Sequence, residues 1–214
     1  MAAEELLNVY DAAGAVVGTC RRNEGKDSGL IAGAVNALVI STRGEVLLQL
    51  RRRDKENGGL WDKTVGGHVA AGEDFDTTIV REAGEELFDA PESPRVRLAA
   101  DAQEFESLLT SLDLAQSVLL RRQSFQLNLR DVRHAPGRGG LRSPLYHVAI
   151  YLGRTDVPLG RFRPQASEID GLRYVPIPVL DRLLAEGQLA PNMAFLWLSQ
   201  GRALLDLVES GRVS

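Results

Sequence analysis

The chain has 214 residues and a mass of 23.3 kDa, 44% hydrophobic and 25% charged, which excludes gross disorder and suits one domain, 1–214. With 25 basic against 29 acidic residues the net charge is −4, so the electrostatic case for a dedicated nucleic-acid binder is absent, and one cysteine, Cys20, excludes a disulfide framework. Residues 1–10 lack a signal-peptide core and the best apolar run, 30–40, is interrupted by Gly33 and Asn36, so no membrane span and a cytoplasmic location are expected.

In chain order, Val9-Tyr10 and Val16-Val17 flank a turn at 11–14, predicting an N-terminal hairpin within 1–30. The β-branched run 35–40, turn residues 42–45 and apolar 46–50 predict a strand pair. Residues 57–59 are a loop and Gly66-Gly67 a tight backbone site. From 75 to 87 the period becomes helical: Ile79, Ala83 and Leu87 form one apolar stripe, Asp74 or Asp76 can cap the start, and Pro91 stops it. A second helix is predicted over 103–114, with Phe105, Leu108, Leu109 and Leu112 on one face. Phe125, Leu127 and Leu129 alternate with polar residues, and Tyr146, Val148, Ile150 and Leu152 alternate likewise, predicting two half-buried strands around a Gly/Arg loop at 133–140. A last strand at 172–175 and helices at 180–185 and 193–209 close the chain. Interleaved helices and strands with local hairpins predict an α/β protein with a mixed sheet between helical layers.

Three acids carry the chemistry. Glu82, Glu85 and Glu86 stand at i, i+3 and i+4, so a helix presents them on one face, where they repel one another. Arg81 alone cannot neutralise three charges, whereas a divalent cation can, and carboxylate oxygens suit the hard ions Mg²⁺ or Mn²⁺. The bland alternative is a solvated acidic face.

Gly67, Glu73, Arg81, Glu82, Glu85 and Glu86 fit the spacing G-x5-E-x7-R-E-x-x-E-E, and this segment resembles the Nudix box. The stretches 47–53 and 59–62, the first hairpin and the closing strand and helix resemble the Nudix branch that includes isopentenyl diphosphate isomerase. The likeness weakens between about 90 and 143, leaving 101–145 as a divergent helix-plus-hairpin insertion. The resemblance implies the Nudix α/β/α sandwich and a Mg²⁺-dependent hydrolase, with Mn²⁺ as alternative, cleaving a diphosphate linkage in a nucleoside diphosphate derivative or similar small molecule. It further implies Glu82 and Glu86 as inner metal ligands, Glu85 as a third ligand or one acting through water, and the Gly66 carbonyl as an added oxygen. Arg81 would orient the carboxylates and Glu73 support the loop; the base is a box glutamate or a loop acid, for which Glu168 is the candidate. A hairpin of this kind also suits a homodimer.

The chain departs from the box where Phe88 and Asp89 replace a glycine and an aliphatic residue. A left-handed helix end at Phe88 is costly, so the exit should use Asp89 and Pro91. Residues 64–67 carry no thiol and Ala32 stands near the place of a metal-binding histidine, which argues against isomerase activity. A catalytically weak protein binding a nucleotide or partner is the second reading. Cys20 is expected to be a small, partly buried residue, His68 to touch either the site or the loop, and Trp61 to stack on a base or anchor the loop. His134 and His147 have no partner nameable from sequence. Arg121, Arg122, Arg130, Arg133, Arg138 and Arg142, like 51–53, are either phosphate handles or solvated surface.

Overall fold

Strand β3 (Ile31–Ile40) organises the computed structural model, which describes residues 5–22, 24, 29–130, 133–134, 141–142 and 144–210. Around it run β1 (Leu6–Tyr10), β2 (Val16–Arg21), β4 (Glu45–Arg51), β5 (Trp61–Asp62), β6 (Val65–His68), β7 (Val96–Ala99), β8 (Val118–Arg130), β11 (Leu145–Arg154) and β12 (Ile169–Pro176). A separate two-stranded ladder joins β9 (Arg133–His134) to β10 (Leu141–Arg142). The main path is β12-β4-β3-β11-β8-β7; β3–β11 and β7–β8 are parallel and the other pairs on it antiparallel, so the sheet is mixed. One face carries α1 (Phe75–Phe88), and the other packs against α2 (Ala102–Ser111), α3 (Ile177–Ala185) and α4 (Pro191–Ser210). This is the expected α/β/α sandwich.

Strand β3 pairs with β11 along all of Ile31–Ile40 but shares its other edge among three strands. β1 takes Ile31–Ala32, β6 takes Ala34–Ala37, and β4 takes Val39–Ile40. β4 therefore leaves β3 partway, and β6 enters the opening. Thr64 sits at the fork, its hydroxyl donating to the Leu47 carbonyl (2.5 Å) and accepting the Val39 N–H (2.9 Å).

Helix α1 follows the sequence closely. Ile79, Ala83 and Leu87 are fully buried against the sheet, worth about 1.5–3 kcal/mol for each of the two large side chains. Asp74 caps the start by accepting the Thr77 N–H at 2.7 Å, while Asp76 instead pairs with Arg122 and Tyr151. Phe88 stays helical and buried; Asp89 is the left-handed residue (φ 51°), and its N–H and that of Ala90 return to Glu85 and Gly84. A side chain at Gly84 would lie 2.2 Å from the Ala90 carbonyl, so this exit depends on glycine there.

Several expectations are corrected. Gly66-Gly67, a tight backbone site as expected, lies within strand β6, its backbone completing the β3 ladder. β11 is buried on both faces from Tyr146 to Arg154, since helices cover both sides of this central strand. Phe125, Leu127 and Leu129 do not share one inward face. Asn128 adopts φ 57° at a bulge, so Leu129 packs into the core on the α4 side, whereas Phe125 and Leu127 remain 43% and 46% exposed. Phe125 rests on Phe75, and Leu127 lies over the turn at Gly14. Cys20 is buried more fully than expected, facing Leu7 across the hairpin. No helix among the described residues is long and apolar enough to cross a membrane.

Candidate active site

The fork in β3 opens into a cleft of about 550 Å³ on the α4 side of the sheet. Ala34, Val148 and Ile150 line it, and the first turns of α4 contribute Asn192 and Phe195. Gly66, Arg81, Glu82, Glu85, Glu86 and Glu168 all reach this one space, as do Arg51, Lys63 and His68. Sequence separation hides that convergence; the helix spacing and the fork produce it.

Arg81 is the hub. Its guanidinium donates to Glu73 (2.9 Å), Glu85 (3.0 Å) and Glu82 (3.1 Å), so one cation orients three acids from α1 and the preceding turn. Burial works against its charge, but the three carboxylates together hold it more strongly protonated than an ordinary arginine. Glu73 also accepts the Thr78 hydroxyl at 2.8 Å, which fixes it as a support, as expected. Among the described residues, no three acidic, His or Cys side chains form a ready-made metal cluster.

Glu86 lies deeper. One of its oxygens accepts the Gly66 N–H at 3.0 Å and the Gln49 side-chain amide at 3.4 Å. Burial, then the charge of Glu82, pushes Glu86 up to about 8; burial, with a smaller push from Glu85, raises Glu82 to about 7. Two acids so raised, side by side, form a pair that a bound cation would favour in ionised form.

The donor set fits a hard divalent ion. Every candidate ligand is an oxygen, and the buried Gln49 Oε1 beside Glu86 has no hydrogen-bond partner. Gly67 leaves the room this arrangement needs, because a Cβ there would lie 2.1 Å from the Glu82 carboxyl carbon.

Strand parity brings in residues that the sequence reading did not single out. Gln49 comes from β4, while Asp62 and Lys63 come from β5 and its end. Asp62 is buried, which raises its pKa, yet Lys63 and Arg51 hold it below the ordinary carboxylate value. Of the run 51–53, only Arg51 lines the cleft, pairing with Asp62 at 3.3 Å; Arg52 pairs with Asp54 on the surface. Glu168 reaches the rim and pairs with Lys55 at 2.5 Å.

Other candidates resolve locally. His68 meets the Tyr146 hydroxyl at 3.3 Å within the cleft lining. His147 is fully buried, donating from Nε2 to the Asp11 carbonyl (2.7 Å) and accepting the Asn128 N–H at Nδ1 (3.1 Å), so it ties the hairpin turn to the bulge. Trp61 is a loop anchor, its backbone bonded to Gln188 and Ala190, and does not line the cleft. Arg122 is held by Asp76, and Arg121 lies over Phe105. Arg130 lines the cleft. Arg133, His134 and Arg142 fall in β9 and β10, while Arg138 lies outside the described residues.

A family model for the NUDIX domain matches residues 30–194. The chain belongs to the Nudix family. Family membership supports the expectation of an enzyme of the Nudix hydrolase kind. The isopentenyl-diphosphate Delta-isomerase of Burkholderia multivorans is 27% identical over 195 residues, covering 91% of this chain and 89% of that protein. A Nudix hydrolase of Nostoc sp. is 33% identical over 85 residues, 39% of this chain and 50% of that protein. In fold, this Nudix chain is similar to a crystal structure from Deinococcus radiodurans (TM-score 0.58, 20% identity, covering 97% and 99% of the two chains). It is also similar to the NUDIX domain of Shewanella oneidensis NrtR, solved with ADP ribose (TM-score 0.51, 16% identity, covering 82% and 88%).

Proposed function

We propose that this Nudix protein is a Mg²⁺-dependent hydrolase that cleaves a diphosphate linkage in a nucleoside diphosphate derivative or similar small molecule. One observation carries the reading: Arg81 gathers Glu82 and Glu85 while the Gly66 N–H fixes Glu86, all at one cleft. Glu82 and Glu86, with Glu85 and the Gly66 carbonyl, would hold the ion. When bound, the ion offsets charge on phosphoryl oxygens and acidifies water.

The chain's own residues set the stage for that chemistry. Arg81 restrains three carboxylates that would otherwise spread apart. Glu85, on the more open side of α1, would accept a proton from water, with Glu168 at the rim as the alternative acceptor. Ala34, Val148 and Ile150 give the cleft an apolar wall, which would limit competing water there.

The second reading is a catalytically weak protein that binds a nucleotide or partner, and the isomerase relative marks a third, different chemistry. Cys20 is in the core rather than the cleft lining, and residues 64–67, where that reading needs a thiol, carry none. The test is phosphate release from nucleoside diphosphates, nucleotide sugars and isoprenoid diphosphates, with and without Mg²⁺. Mg²⁺-dependent release that disappears in Glu86→Gln supports the reading. Isomerisation without release, or binding without turnover, overturns it. A single domain spanning 1–214, dimerisation through the hairpin and the absence of nucleic-acid binding belong to the same proposal, and light scattering checks the dimer.

A further inference from the structure

Lys63 is a cation set into the floor of an acidic site. It is one of three lysines in the chain, its side chain is 6% exposed, and it lines the cleft. Taking an ammonium out of water is costly without close partners. Its aliphatic stem lies directly on the Gly66 backbone, so a Cβ on Gly66 would sit 2.0 Å from Lys63 Cε and 2.9 Å from Nζ. The ammonium is therefore beside the same peptide whose N–H holds Glu86.

Asp62 faces Lys63 but is already engaged elsewhere. It accepts the Lys63 backbone N–H at 2.8 Å and Arg51 at 3.3 Å. Lys63 Nζ meets its oxygens at 3.4 and 3.5 Å, long for charge-assisted bonds. Here the carboxylate tethers the ammonium at the cleft through two long bonds to a single acceptor group.

We propose that Lys63 is a ligand for a diphosphate group, held opposite the α1 carboxylates by Asp62 and Gly66 so that a phosphoryl oxygen completes its hydrogen bonding. The assignment rests on the diphosphate reading above and adds a residue to it. The ammonium supplies a fixed positive charge from β5's end, beside Gly66. Anionic oxygens lying between it and the carboxylates would be drawn in one orientation. Recognition is then of the diphosphate itself, independent of the organic group attached.

Calorimetry with methylenediphosphonate in the presence of Mg²⁺ tests this without turnover. Wild-type protein should bind, Lys63→Met should lose about 10- to 100-fold in affinity, the scale of a charged hydrogen bond, and Lys63→Arg should recover part of the loss. Labelling lysine ¹³Cε gives a second readout in unmodified protein, where the ligand should shift the Lys63 signal. Equal affinity in Lys63→Met, or an unmoved Lys63 signal at saturation, overturns the proposal while leaving Mg²⁺-dependent hydrolysis intact. If wild-type protein binds no methylenediphosphonate, both readings fall. Should Lys63→Met not fold, the wild-type signal decides alone.

Discussion

The Glu86 carboxylate on α1 accepts the backbone N–H of Gly66 on β6 at 3.0 Å, joining this helix to the strand that fills the fork in the sheet. Glu86→Gln should keep this join, because an amide oxygen accepts the same bond. It should nevertheless lower kcat/KM by about 100-fold or more, the scale seen when a preorganised electrostatic group is lost. Retained Mg²⁺-dependent phosphate release in a folded Glu86→Gln protein would remove Glu86 from the site.

Proton linkage gives a second test. Glu82 and Glu86 ordinarily titrate near 4.5 but are raised to about 7 and 8 when folded. Between those limits the folded state binds more protons than the unfolded one, so the stability of metal-free protein falls as pH rises from about 4.5 through about 8. Melting in EDTA across this range should show the decline. Glu82→Gln/Glu86→Gln should flatten it, and Mg²⁺ should raise Tm most at the alkaline end.

Gly67→Ala separates site from scaffold. The new methyl would meet the Glu82 carboxylate 2.1 Å away, and that is the far end of a flexible side chain. The fold should absorb the change while Glu82 swings off Arg81, so activity should fall about tenfold or more with little change in Tm. A large drop in Tm at unchanged kcat would contradict the placement.

Removing Arg81 leaves three acids unbalanced. Arg81→Met should destabilise by about 1–3 kcal/mol, less than a fully buried network because the guanidinium is 23% exposed. Denaturant unfolding should show the loss, and Mg²⁺ should restore more stability to the variant than to wild type.

Asp89→Gly concerns only the helix exit. Asp89 holds φ 51° and adds a negative charge at the negative end of α1. Glycine should stabilise the protein by about 0.5–1 kcal/mol with kcat unchanged. A lower Tm would show that the Asp89 side chain contributes something the backbone geometry does not.

The α1 half of the site was legible because its signal is local: one helix and one turn fix Glu73, Arg81, Glu82, Glu85 and Glu86 within fourteen residues. The other half was not. Gln49, Asp62 and Lys63 are drawn in by β4 parting from β3, which no periodicity records. The alternation at Tyr146–Leu152 signalled a strand but not its position at the centre of the sheet, where even its polar His147 is buried between the hairpin turn and the β8 bulge. At Phe125–Leu129, alternation predicted one face, whereas a left-handed Asn128 reversed parity midway. Asp89's role as helix stop was legible from the misplaced Phe88 alone.

The divided edge of β3 has an evolutionary consequence. The hollow arises from main-chain pairing, with β6 and β4 docking on successive stretches of a single neighbour, so it survives replacement of the side chains around it. Descendants of such a scaffold can exchange the walls at β8 and α4 for new cargo while inheriting the same acidic floor.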